Sequence, residues 1–181
     1  MMRARWLAAT FCTALGVALP LGVPPPKLLL WNASASVPVG LYTLRPLDNP
    51  EIADLVAVVP PEPLAAYLAE RGYLPRGVPL LKRVAALPGQ QVCRSGVTIS
   101  VDRAALGEAR DRDGKDRALP AWQGCRALSD AEIFLMNWQA VDSFDGRYVG
   151  PLPRSSILAR AIPLWTDEAG DGRFVWRAAT R

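Results

Sequence analysis

Three features of this 181-residue chain predict a mainly β, open and coiled fold. Beyond residue 31, short apolar or alternating runs dominate. Prolines and glycines, 17 and 14 in the whole chain, separate these runs at a density that suggests an open, coiled β structure rather than a βαβ sheet. Only one clear helical pattern interrupts the strands.

The elements follow in chain order. Arg3 and Arg5 precede an uncharged, mostly apolar stretch from Trp6 to Pro26, and Lys27 is the next charge. As a helix this stretch would span roughly 31 Å at about 1.5 Å per residue, close to a bilayer core. Pro20 and the Pro24, Pro25, Pro26 run weaken its end. Arginines on the short leading side favour an N-in orientation, which exports the rest of the chain. Residues 1–27 therefore read as a membrane anchor or signal segment, and 28–181 as an extracytoplasmic domain. A removable secretory signal is the alternative, with small residues from Val17 to Gly22 near a cleavage point. A buried core helix is a third reading. A retained anchor fits best, because a candidate nucleophile lies only a few residues further on.

Strands are expected at Leu28 to Trp31, Gly40 to Leu44, Leu55 to Val59, Leu80 to Ala85, Gln91 to Cys93, Val97 to Val101, Ile133 to Met136 and Ile157 to Leu164. The helix is expected at Glu62 to Arg71, with Leu64, Tyr67 and Leu68 on one side and prolines before it. Residues 108–117 carry eight charges in ten positions and read as a solvated hairpin or loop. Cys93 and Cys125 flank that segment. Export permits a disulfide between them, worth on the order of 3.5 kcal/mol by chain entropy. Two buried thiols are the alternative. Cys12, inside the apolar stretch, reads as a small hydrophobe.

The net charge of +4 is modest and rests on arginine, with only Lys27, Lys82 and Lys115 as lysines. It suits anionic lipid headgroups, and no pattern of nucleic-acid recognition accompanies it. Nucleic acid is not an expected partner.

The chain has no histidine. A hydrolase built on it needs another base, and a lysine held neutral has the lone pair that an ammonium lacks. Lys115, among charges, and Lys27, at the membrane edge, would stay protonated. Lys82 lies among Leu80, Leu81, Val84, Ala85 and Ala86, which would exclude water. Ser36 is the candidate nucleophile. On the residues alone each has a plain alternative: a turn serine ahead of Pro38, and a strand lysine whose ammonium reaches solvent.

Three segments in order carry a resemblance. They are Asn32…Ser34…Ser36-x-Pro38-x-Gly40-Leu41-Tyr42, Lys82-Arg83-Val84 with Leu87-Pro88-Gly89, and Asp142-Ser143 followed by Asp145-x-Arg147-Tyr148 and Gly150. Together they resemble the type I signal peptidase superfamily of serine–lysine peptidases, particularly its conjugative-transfer branch, called TraF. The resemblance implies an open, coiled antiparallel β fold behind one N-terminal transmembrane helix, with an apolar surface approaching the bilayer. It implies Ser36 as nucleophile, Lys82 as general base and Ser143 as the hydroxyl that orients the amine. The backbone N–H of Ser36 and the Ser34 hydroxyl would meet the oxyanion. Asp145 and Arg147 would form a supporting ion pair, with Asp142 beside them. No cofactor and no metal is expected.

Val37 follows the serine where general signal peptidases carry methionine, Pro38 comes one position early, and Asp142 and Gly146 replace the common asparagine and serine. These departures favour the transfer branch. The implied activity is cleavage of prepilin during conjugative pilus maturation in type IV secretion, by a single-pass bacterial inner-membrane enzyme facing the periplasm. Expected partners are a prepilin or other membrane-associated preprotein, membrane lipid, and secretion or pilus proteins. The alternatives are a general type I signal peptidase acting on exported preproteins and an inactive envelope assembly scaffold.

Overall fold

The computed structural model describes residues 5–6, 10–13 and 28–179. Most of the stretch read as an anchor, Trp6 to Pro26, falls outside the described residues. Among the described residues, no helix is long and apolar enough to cross a membrane.

From residue 28 the chain is mainly β, and every strand pair is antiparallel. The larger sheet contains β1 (Leu29–Asn32), β2 (Val39–Arg45), β3 (Leu55–Val58), β4 (Leu80–Ala86), β9 (Glu132–Leu135), β10 (Leu152–Pro153), β11 (Ile157–Asp167) and β12 (Val175–Trp176). Its order is β1-β2-β11-β3-β4-β9-β10, with β12 added on β11. A smaller sheet, ordered β7-β6-β5-β8, is made of β5 (Gln91–Ser95), β6 (Thr98–Val101), β7 (Ala104–Glu108) and β8 (Gly124–Ala127). The disulfide Cys93–Cys125 joins β5 to β8 at directly paired positions.

Burial patterns explain the strand sequences. Along β2, Tyr42 and Leu44 point inward while their neighbours are partly exposed. Strand β3 is buried throughout and reads as the continuous apolar run Leu-Val-Ala-Val. Strand β4 is buried from Leu81 to Ala86. Its side chains enter three packed clusters: Leu81 joins Tyr42, Leu55 and Ala161; Val84 joins Val58 and Ile133; Ala85 and Ala86 join Ile99 and Phe134. Lys82 therefore sits in a strand enclosed by the core over almost its whole length.

Helix α1 (Glu62–Glu70) starts after Pro61, buries Leu68 and stops at Gly72, whose φ of +68° suits a residue without Cβ. A short turn of helix, α2 (Gly146–Val149), is capped by the Asp145 carboxylate, which accepts from Arg147 N. Gly40 is needed where β2 passes β11. Its φ is +146°, and a Cβ there would lie 2.3 Å from the Trp165 carbonyl oxygen.

Strands β7, β8, β10 and β12 have no counterpart in the sequence expectation. β10 and β12 are two residues each, and β8 is exposed at every position, so neither length nor alternation marks them. Strand β11 runs past Leu164 to Asp167 through a bulge between Pro163 and Trp165.

The charged segment 108–117 is not solvated throughout. Glu108 closes β7, and the loop beyond is bridged at Arg112 and Ala118. Asp113 turns inward and accepts from the Tyr73 hydroxyl, from Arg117 Nε at 2.8 Å and from two backbone N–H groups. Arg117 also donates to the Arg71 carbonyl at 3.0 Å, so the loop is clasped to the end of α1. Lys115 is exposed.

Candidate active site

The turn between β1 and β2 carries Ser34 and Ser36. It is organised by Asn32, the last residue of β1. Its Nδ2 contacts the carbonyls of Ser34 (2.7 Å), Pro38 (3.0 Å) and Val37 (3.1 Å). Its Oδ1 accepts from Ser34 N and lies 3.2 Å from Ser34 Oγ. This is an Asx-type arrangement, in which a short amide replaces the backbone partners that a strand would supply. From below, the Tyr42 hydroxyl donates to the Pro38 carbonyl at 2.6 Å. Burial, first, and the nearby Glu168 push the Tyr42 phenol well up, so it remains a donor.

Ser36 Oγ lies 3.1 Å from Ser34 Oγ. Lys82 is 4% exposed, and its Nζ donates to Ser143 Oγ at 2.7 Å. Ser34, Ser36, Lys82 and Ser143 line one cavity of about 1160 Å³. The structure brings the serine and the lysine to this cavity without a hydrogen bond between them; Ser36 instead meets Ser34, and Lys82 meets Ser143.

Burial lowers the Lys82 pKa to about 8. Asp145 pulls the other way and Arg147 supports the shift. These two form a bidentate ion pair, Arg147 Nε to Asp145 Oδ1 at 2.9 Å and Nη2 to Oδ2 at 2.8 Å, with almost no exposed side-chain surface. The lysine thus meets two opposed charges held together, and desolvation decides its state.

The same arginine ties down the loop that carries Ser143. Its Nη2 contacts the carbonyls of Ala140 (2.6 Å), Asn137 (3.2 Å) and Ser143 (3.3 Å). The buried Arg94, next to Cys93, donates to the Arg147 carbonyl at 2.6 Å, linking the smaller sheet to this box. Asp142 lies apart from the buried pair. It is exposed and bridges to Arg110 at the cavity rim.

Chemically, the arrangement offers a hydroxyl and a water-shielded amine in one cleft, with neighbouring hydroxyls for orientation. The sequence reading assigned no role to Asn32, Asn137, Arg94 or the Tyr73–Asp113–Arg117 clasp. A polar residue directly before a Ser-rich turn, or directly after the apolar run of β9, was the available signal for the two asparagines.

The family described as "Signal peptidase, peptidase S26" matches residues 3–165. This chain belongs to the signal peptidase S26 family. It is a serine peptidase of the signal peptidase type. The chain is 37% identical over 146 residues to the conjugal transfer protein TraF of Agrobacterium tumefaciens (strain 15955), covering 75% of this chain and 81% of the relative. It is 31% identical over 144 residues to a plasmid transfer protein TraF of Escherichia coli, with the same coverage of each. Among solved structures, a signal peptidase I from Enterococcus faecalis V583 aligns with a TM-score of 0.39 and 17% identity. That alignment covers 63% of this chain and 97% of the other.

Proposed function

We propose that this S26 peptidase is a membrane-tethered endopeptidase that uses Ser36 and Lys82 to cleave a prepilin during conjugative pilus maturation in type IV secretion. The observation that carries the mechanism is the water-shielded Lys82 amine, 2.7 Å from Ser143 Oγ and in one cavity with Ser36. Neutral Lys82 takes the Ser36 hydroxyl proton as Oγ attacks the scissile carbonyl. The oxyanion is met by the Ser36 backbone N–H and by the Ser34 hydroxyl, which turns from its present partners to donate. Protonated Lys82 then protonates the leaving amine, and a water activated by the same amine releases the acyl group. Ser143 keeps the amine aimed. The Asp145–Arg147 pair keeps Ser143 in place.

The conjugative assignment is supported by the names of the relatives, which are conjugal and plasmid transfer proteins. Residues 1–27 are taken as the anchor, with 28–181 on the periplasmic side of the inner membrane. Support for membrane contact comes from an exposed apolar rim beside the nucleophile turn. Trp31, Phe174 and Trp165 pack in sequence there, with ring centroids 6.1 and 4.6 Å apart, and Leu28, Leu29 and Trp176 are exposed next to them.

The test is mass spectrometry of a co-expressed candidate prepilin with wild type, Ser36→Ala and Lys82→Ala at equal membrane expression. A defined product lost in both variants is expected. Processing that persists in either variant overturns the residue assignment. Processing of a general leader peptide but not of the prepilin would transfer the enzyme to the housekeeping reading.

A further inference from the structure

We propose that Asn137 is a positioning residue for this reaction: its side chain holds the strand around Lys82 in register with the loop that carries Ser143. The inference rests on the Ser36–Lys82 reading above and deepens it.

Strand β9 pairs with β4 only as far as the lysine region. The last backbone bond on that side runs from Met136 N to the Arg83 carbonyl, at 2.9 Å. The chain then leaves the sheet toward Ser143, and two peptide groups flanking Lys82 lose their neighbouring strand. The Asn137 carboxamide takes the place of that strand. Its Oδ1 accepts from Arg83 N at 3.0 Å, and its Nδ2 donates to the Leu81 carbonyl at 3.1 Å. One side chain thus holds the peptides on both sides of the lysine.

The Asn137 backbone is committed elsewhere. Its N–H donates to Asp145 Oδ2 at 3.0 Å, and its carbonyl accepts from Arg147 Nη2 at 3.2 Å. Asn137 is therefore the joint between two units: the lysine strand on its side chain, and the ion pair that braces Ser143 on its backbone. It is 2% exposed and does not line the cavity, so it acts through Lys82 and Ser143 without touching substrate. Alanine would leave the Arg83 N–H and Leu81 carbonyl without partners inside the protein, which invites water or a shift of β4. Either change moves the amine against Ser143 Oγ and weakens its shielding.

The chain has only three lysines, so the test can watch the amine directly. The full-length protein, labelled with 13C-lysine in lipid nanodiscs, is titrated by NMR. Lys27→Arg and Lys115→Arg versions leave Lys82 as the remaining signal. Asp145 and Arg147 beside the amine, and Tyr73, Arg110, Arg112, Asp113, Asp142 and Tyr148 along the cavity, are unchanged in every sample.

For Asn137→Ala, the Lys82 titration is expected to move up by about one pH unit, a tenfold loss of neutral amine near pH 7. With a cleavable peptide, kcat at pH 7 should fall about tenfold, KM should stay within twofold, and the pH–rate profile should shift with the titration. Asn137→Ser retains one short polar group, should give a smaller shift in the same direction, and carries the comparison if the alanine variant does not fold. A folded variant whose Lys82 titration and pH–rate profile superpose on wild type overturns the proposal. Full activity in Lys82→Ala would instead overturn the Ser–Lys reading, while the titration still reports whether Asn137 sets the amine.

Discussion

In the proposed mechanism, Lys82 is the residue at which stability and chemistry oppose each other. Its amine is held near pKa 8 by burial, whereas an unfolded lysine titrates near 10.4. The sign follows from proton counts. Between those values the unfolded chain binds more protons than the native one, so stability rises with pH across the window. Below about pH 8 both states are charged and the burial cost is fully present, roughly 3 kcal/mol before the Ser143 hydrogen bond offsets part of it. Lys82→Met keeps the length and removes the charge. It is expected to unfold at higher denaturant than wild type at pH 7, by about 1–2 kcal/mol, with the gap closing as pH approaches 10. Parallel denaturation curves at pH 7 and pH 10 check this. A gap that widens with pH would mean that the wild-type amine is not desolvated in the native state.

At the scale of elements, the site depends on two chain segments leaving the sheet at fixed points: the turn after β1, and the loop after β9. Gly40 fixes the first. With a φ of +146° and a would-be Cβ 2.3 Å from a carbonyl oxygen, Gly40→Ala is expected to cost about 2–3 kcal/mol and to displace the Ser36 turn. Thermal unfolding together with cleavage rate measures it; a variant with wild-type melting and rate would show that β2 accommodates the methyl group. The strands around this site were legible because burial writes itself into sequence. The alternation of β2, the continuous apolar run of β3 and the apolar residues flanking Lys82 and Arg83 in β4 appear within a residue or two of their observed ends. Helix α1 was announced by prolines at its start and by Leu64, Tyr67 and Leu68 on one side. Strand β8 was not legible, because its residues are exposed and its pairing depends on β5, 32 positions away from Cys125 at Cys93. The inward turn of Asp113 was hidden for a similar reason. A run of charges looks solvated until a distant phenol, Tyr73, supplies a partner.

Across the whole molecule, the cavity is shared among segments remote in sequence: the β1–β2 turn, β4, the end of α1, the charged loop and the box around Ser143. Pattern reading could nominate Ser36, Lys82 and Ser143 one by one, since the superfamily motifs mark each. It could not supply Asn137, whose role exists only because β9 ends beside the lysine strand and a side chain continues the ladder. Nor could it supply Arg94, which ties the disulfide-bearing sheet to the Asp145–Arg147 box. The exposed aromatic rim also emerges only when β1, β11 and β12 are brought into one sheet. The most direct test of the account is the pH dependence of kcat/KM for a cleaved peptide, with the full-length protein in lipid nanodiscs. The account predicts a rate that rises about tenfold per pH unit below the Lys82 pKa and levels above about pH 8, with Ser36→Ala and Lys82→Ala inactive throughout. A rate that is flat from pH 6 to 9, or that survives removal of Lys82, would contradict it.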